Sequence, residues 1–163
     1  TNPVMICSYS LCQGLFLGGV TWAYEQYFPG IGILAVVLTL GILGAMLTIY
    51  RAGLISWSKN LQIAVMSALT AILMIYLISF IGVFVGFEVP YIHEASPIGI
   101  LFSVFVICIA SLCLVADFDF IERGVERGAP KQLEWRAAFG LMVTLVWLYL
   151  EILELLAKVA SRR

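Results

Sequence analysis

Four stretches of this 163-residue chain run for more than 20 residues without a charged side chain: 1–24, 26–50, 60–87 and 95–116. A fifth, 137–157, is interrupted only by Glu151 and Glu154. About 20 mostly apolar residues are what a helix needs to cross the hydrocarbon of a bilayer. A water-soluble domain could not cover five such stretches. Here 63% of residues are hydrophobic and 12% charged, where a soluble domain carries about 25% charged residues. The mean hydropathy is +1.06. This excludes a soluble enzyme, a nucleic-acid binder and a disordered tail. Nine Lys and Arg against ten Asp and Glu leave no basic patch for a phosphate backbone.

Backbone groups inside hydrocarbon have no water to bond, so only helices and closed barrels span it. Barrel strands alternate apolar and polar residues, and runs such as Ile33-Leu34-Ala35-Val36-Val37-Leu38 do not. The expected fold class is all-α, a polytopic transmembrane helix bundle forming a single transmembrane domain. Helices are expected near 3–26, 30–51, 60–87, 97–122 and 134–158, with a polar connector at 123–133. The joints hold the turn residues (Pro29-Gly30, Gly53, Pro90, Pro97) and aromatic residues suited to the headgroup level: Trp22, Tyr24, Trp57, Tyr91 and Trp135. The repeat Glu122-Arg123-Gly124 and Glu126-Arg127-Gly128 gains little as a helix and reads as a solvated connector. Thr1 is not an initiator Met, and no signal peptide is recognisable, so a trimmed or partial chain is expected.

Orientation follows from the cations. The second joint holds Arg51 and Lys59, and the fourth holds Arg123, Arg127, Lys131 and Arg136; the first and third hold neither Lys nor Arg. The positive-inside rule puts joints two and four, and the N-terminus, in the cytoplasm. Five full crossings then place Lys158, Arg162 and Arg163 outside, against the rule, and a re-entrant last helix is the alternative.

Cys7, Cys12, Cys108 and Cys113 form no C-x-x-C, and His93 is the only histidine. Neither a zinc site nor a bis-histidine haem has its ligands, so the cysteines read as small apolar helix residues. No resident cofactor is expected. Gly14-x-x-x-Gly18 reads as tight packing inside the bundle, with a homodimer face as the alternative.

The informative residues are the acids within or beside the apolar runs: Asp117, Asp119, Glu151 and Glu154. An ionisable group deep in a bilayer is costly and marks an ion or proton path by default. Asp119 has Arg123 as a partner at i,i+4, and Glu154 has Lys158, so both are secondary candidates. Asp117 and Glu151 are the primary ones. With no cation expected inside the apolar cores, two adjacent carboxyls would share a proton and titrate as a coupled pair. Protonated, the pair is neutral and shut; deprotonated, it repels and opens. The same oxygens would suit Ca²⁺. No catalytic motif accompanies them, so an enzyme is not expected.

The stretch Ala116-Asp117-Phe118-Asp119-Phe120-Ile121-Glu122-Arg123-Gly124, then Gly128-Ala129-Pro130, then Trp147-Leu148-Tyr149-Leu150-Glu151-Ile152-Leu153, resembles the bacterial branch of the Bax inhibitor-1/YccA-like family. Asn2-Pro3-Val4, Tyr9 and Gln13-Gly14-Leu15-Phe16-Leu17-Gly18 look like the start of that family's third helix. The resemblance implies a seven-helix fold with the final helix at its centre, of which this chain holds the last five. It implies a bacterial inner-membrane protein and a pH-sensitive calcium leak, with Asp117 and Glu151 as the sensing pair and calcium as the transported ion. The alternative it implies is a non-transporting regulator that binds a membrane protease or a cell-death-related partner. Glu151 is one methylene longer than the usual Asp, and Gln13 stands where related sequences often have Glu. An antiparallel hairpin brings Asp117 and Glu151 level only if its turn centres near residue 134, whereas the expected helix ends centre it near 128.

Overall fold

A computed structural model describes residues 2–89 and 95–162. Pro90, Tyr91, His93 and Glu94 of the third joint, together with Thr1 and Arg163, lie outside the described residues. Five helices follow one another: α1 (Pro3–Tyr27), α2 (Ile31–Arg51), α3 (Lys59–Val85), α4 (Pro97–Glu126) and α5 (Gln132–Ser161). All five are long and apolar enough to cross a membrane. α5 is unbroken over 30 residues, about 45 Å of rise, which suffices for a full crossing.

The starts are set by local chemistry. Asn2 accepts from the Val4 amide at 3.0 Å, Ser58 from Leu61 at 3.3 Å and Ser96 from Gly99 at 3.1 Å. Each satisfies an amide that the first helical turn leaves without a partner. Pro3 and Pro97 follow two of these caps, where a missing amide proton costs nothing.

At the fourth joint the chain departs from the sequence expectation. Helix α4 continues through Arg123-Gly124-Val125-Glu126, which were expected in the connector. The unstructured link shrinks to residues 127–131. Asp119 and Arg123 pair at 2.9 Å one turn apart, so the charges of this stretch support the helix. The stop comes at Gly128, whose φ of 59° is left-handed. The Ala129 amide bonds the Gly124 carbonyl and the Gly128 amide bonds that of Val125, closing the helix with a Schellman motif.

Helices α4 and α5 form the spine and pack on each other. Helix α2 lies against both, α1 against α2 and α5, and α3 against α4. One apolar cluster joins Ile31 and Ala35 of α2 with Ala110, Leu114 and Phe118 of α4 and Leu148, Ile152 and Leu153 of α5. A second joins Val65 and Ile72 of α3 to Val106 and Ile109 of α4. Trp147 packs against both clusters.

The glycines divide differently from the expectation. A Cβ added at Gly14, Gly18 or Gly19 would meet nothing within 4 Å, and α1 buries no residue fully. The Gly14-x-x-x-Gly18 face is therefore not an internal packing surface. The partly buried residues of α1 include Ser10, Thr21 and Tyr24. Tight packing is found instead at Gly32, where a Cβ would stand 2.5 Å from Thr21 Cγ2 and 2.9 Å from Glu25 Oε1. Thr21 cannot readily yield, because its hydroxyl is bonded to Tyr149 at 2.6 Å.

Candidate functional site

Polar side chains in the bundle interior line up along one face of α5. Thr144, Glu151 and Lys158 recur every seven residues, two turns apart, so they share a side of the helix. α4 runs antiparallel to this face. At one end Asp117 lies beside Thr144, and its Oδ1 would be 3.6 Å from a Cβ at Gly140. At the other end Lys158 donates to Ser103 Oγ at 2.8 Å and to the Gly99 carbonyl at 3.3 Å. Residues 117 and 144 are equidistant from the point between 130 and 131, and so are 103 and 158. One register therefore governs the whole α4–α5 hairpin, and its centre falls inside the 127–131 link.

That register decides the relation between Asp117 and Glu151. Thr144 is the residue level with Asp117, and Glu151 lies seven residues further along, about 10 Å of rise. The structure does not bring the two acids together. Each has its own surroundings. The Glu151 side chain is only 6% exposed; the Tyr76 hydroxyl donates to its Oε1 at 2.5 Å, and the Trp147 indole bonds the same carboxyl from one turn before. Tyr24 of α1, Glu154 and Lys158 are the other titratable groups facing it. Asp117 has Cys113 as its titratable neighbour, one turn earlier on α4. Its Oδ2 is buried with no hydrogen-bond partner among the described residues.

The secondary candidates are ion-paired. Asp119, with 18% of its side chain exposed, pairs with Arg123. Glu154 pairs with Lys158 at 3.2 Å. Beside Asp119, the Tyr50 hydroxyl of α2 donates to Glu122. Among the described residues no three His, Cys, Asp or Glu side chains converge into a metal-binding set. The interior acids are thus separate oxygen sites spaced along the α4–α5 hairpin.

Lys158 requires a correction. The apolar cores were expected to contain no Lys or Arg, and Lys158 was assigned to the polar tail. It is instead 5% exposed and sits in the bundle interior between α5 and the first turns of α4. The signal was present in the sequence, since Glu151, Glu154 and Lys158 share an i, i+3, i+7 face. Tyr76, Ser103 and Thr144 carried no comparable signal, because a single hydroxyl in an apolar run is compatible with any side of its helix.

The description Bax inhibitor 1 like belongs to the family model that matches residues 1–161, nearly the whole chain. The chain belongs to the Bax inhibitor 1 like family. No curated protein and no solved structure gives a significant match. Family membership and five membrane-capable helices together identify an integral, multi-pass membrane protein. Within this Bax inhibitor 1 like chain, the α4–α5 hairpin carries every primary acid, and α3 reaches α5 by the Tyr76 side chain, since their backbones do not approach.

Proposed function

We propose that this protein is a pH-sensitive calcium leak of a bacterial inner membrane, in which Asp117 and Glu151 are successive acidic stations and not one shared-proton pair. The observation that carries the reading is Glu151: a carboxyl in the bundle interior, held by hydroxyl and indole donors and without an ion pair of its own among the described residues. Intramembrane acids facing a bundle interior ordinarily serve ion or proton movement. Asp117, with a buried oxygen lacking a partner, supplies a second oxygen site two turns nearer the arginine-bearing joint. An ionised carboxylate draws a divalent cation inward and a protonated one does not, so flux falls as pH falls. Tyr24, Tyr76, Glu154 and Lys158 around Glu151, and Cys113 beside Asp117, set where that fall occurs. The test is calcium flux into liposomes holding the purified protein, measured across pH. Glu151→Gln and Asp117→Asn should each flatten the pH profile. Wild-type profiles in both would refute the proposal.

The alternative, a non-transporting regulator of a membrane protease or a cell-death-related partner, is favoured by the open Gly14 and Gly18 face of α1. Small residues let a partner helix approach closely. On that reading Gly14→Leu/Gly18→Leu abolishes co-purification of a defined membrane protease, and no variant conducts calcium.

A further inference from the structure

Lys158 occupies a nest of oxygen atoms. Its ammonium lies 2.8 Å from the Ser103 hydroxyl, 3.3 Å from the Gly99 carbonyl and 3.2 Å from the Glu154 carboxylate. Hydroxyl, carbonyl and carboxylate oxygens are the donors that hard cations select. Two helices contribute them, so the arrangement is fixed by the α4–α5 register and not by a mobile tail. The position also opens outward. Tyr24, Ala95, Glu154, Ala157, Lys158 and Ser161 line a cleft of about 450 Å³ at this end of the bundle. Glu151 lies two turns further along the same face of α5, close enough for Lys158 to act on its charge. Lys158 and Glu154 thus line the cleft, and Glu151 lies beyond them along α5.

We infer that Lys158 is a tethered counter-cation that occupies the inlet of the acidic core and limits cation passage, an inference that rests on the leak reading above. An incoming cation must compete with the ammonium for the Glu154, Ser103 and Gly99 oxygens. The charge also repels it electrostatically, an interaction strengthened by the low dielectric of the interior. Arg keeps the charge, and Met keeps most of the length and apolar body without it.

The experiment uses the full chain, with Lys158→Met, Lys158→Arg and the double variant Glu154→Gln/Lys158→Met, which removes both charges of the Glu154–Lys158 pair. Calcium flux is measured in liposomes, and equilibrium binding of radioactive calcium in detergent. Lys158→Met should raise flux about tenfold, equal to about 1.4 kcal/mol of barrier, and should bind calcium above the wild-type level. Lys158→Arg should keep the wild-type flux. The double variant should lose the gained binding and still conduct above wild type. A monodisperse Lys158→Met with wild-type flux and no added binding overturns the inference. If Lys158→Met does not fold, the double variant decides: flux above wild type supports the role and wild-type flux overturns it. If no protein conducts calcium, the leak reading fails, and gained binding in Lys158→Met still decides for or against the counter-cation.

Discussion

The Tyr76 hydroxyl donates to Glu151 at 2.5 Å, and this bond joins α3 to α5 although the two helix backbones do not approach. Tyr76 also stacks edge-on against Phe102 of α4, with ring centroids 6.3 Å apart, so its ring is held while its hydroxyl reaches the acid. Removing that donor leaves a buried acceptor short of a partner, at a cost of about 1–3 kcal/mol. Tyr76→Phe should lower the unfolding free energy in detergent by that amount, read as a lower thermal midpoint. In combination with Glu151→Met, which keeps the length of the side chain and has no oxygen to accept the bond, the two losses should be strongly non-additive, since each deletes the same interaction. Additive losses would show that the bond contributes nothing.

Asp117 and Glu151 stand at different levels of the hairpin, and that separation is measurable. A shared-proton pair titrates as a unit, whereas separate sites titrate independently. The effects of Asp117→Asn and Glu151→Gln on the pH profile of calcium flux should therefore sum in the double variant. If either single substitution already reproduces the double, the acids act as one group and meet in a conformation other than this one.

Glycine substitutions should sort by packing and not by motif. Gly32→Ala places a methyl against Thr21, which Tyr149 holds in place, and overpacking of this kind costs about 1–3 kcal/mol. Gly14→Ala and Gly18→Ala meet open space and should be neutral or stabilising by up to about 1 kcal/mol, because alanine is the better helix former. Thermal unfolding of the three variants side by side tests this, and equal destabilisation would contradict the α1–α2 contact.

Asp119 should prove dispensable. Its pair with Arg123 is partly exposed, 18% and 54% of the two side chains, and exposed pairs contribute about 0–1 kcal/mol. Asp119→Asn should leave both the pH profile and the midpoint close to wild type. A lost pH response in that variant alone would move the sensing role from Asp117 to its neighbour.

The sequence alone was enough to determine the helices and their approximate limits. Within a bilayer each spanning segment must satisfy its own backbone, so an uncharged run bounded by Asn2, Ser58 or Ser96 at its start and a glycine such as Gly86 or Gly128 after its end has little choice. The family was legible too, in the acids and glycines of the last third. Tertiary structure decided what those residues do. A helix that is apolar all round, as α1 to α4 nearly are, does not mark which side packs, so Gly14 and Gly32 look alike in sequence and differ entirely in place. Periodicity likewise puts Thr144, Glu151 and Lys158 on one face of α5 but gives no depth relative to α4. Only the packing of Ala110, Leu114 and Leu148 against one another sets the hairpin register, and the register separates Asp117 from Glu151 and draws Lys158 into the interior.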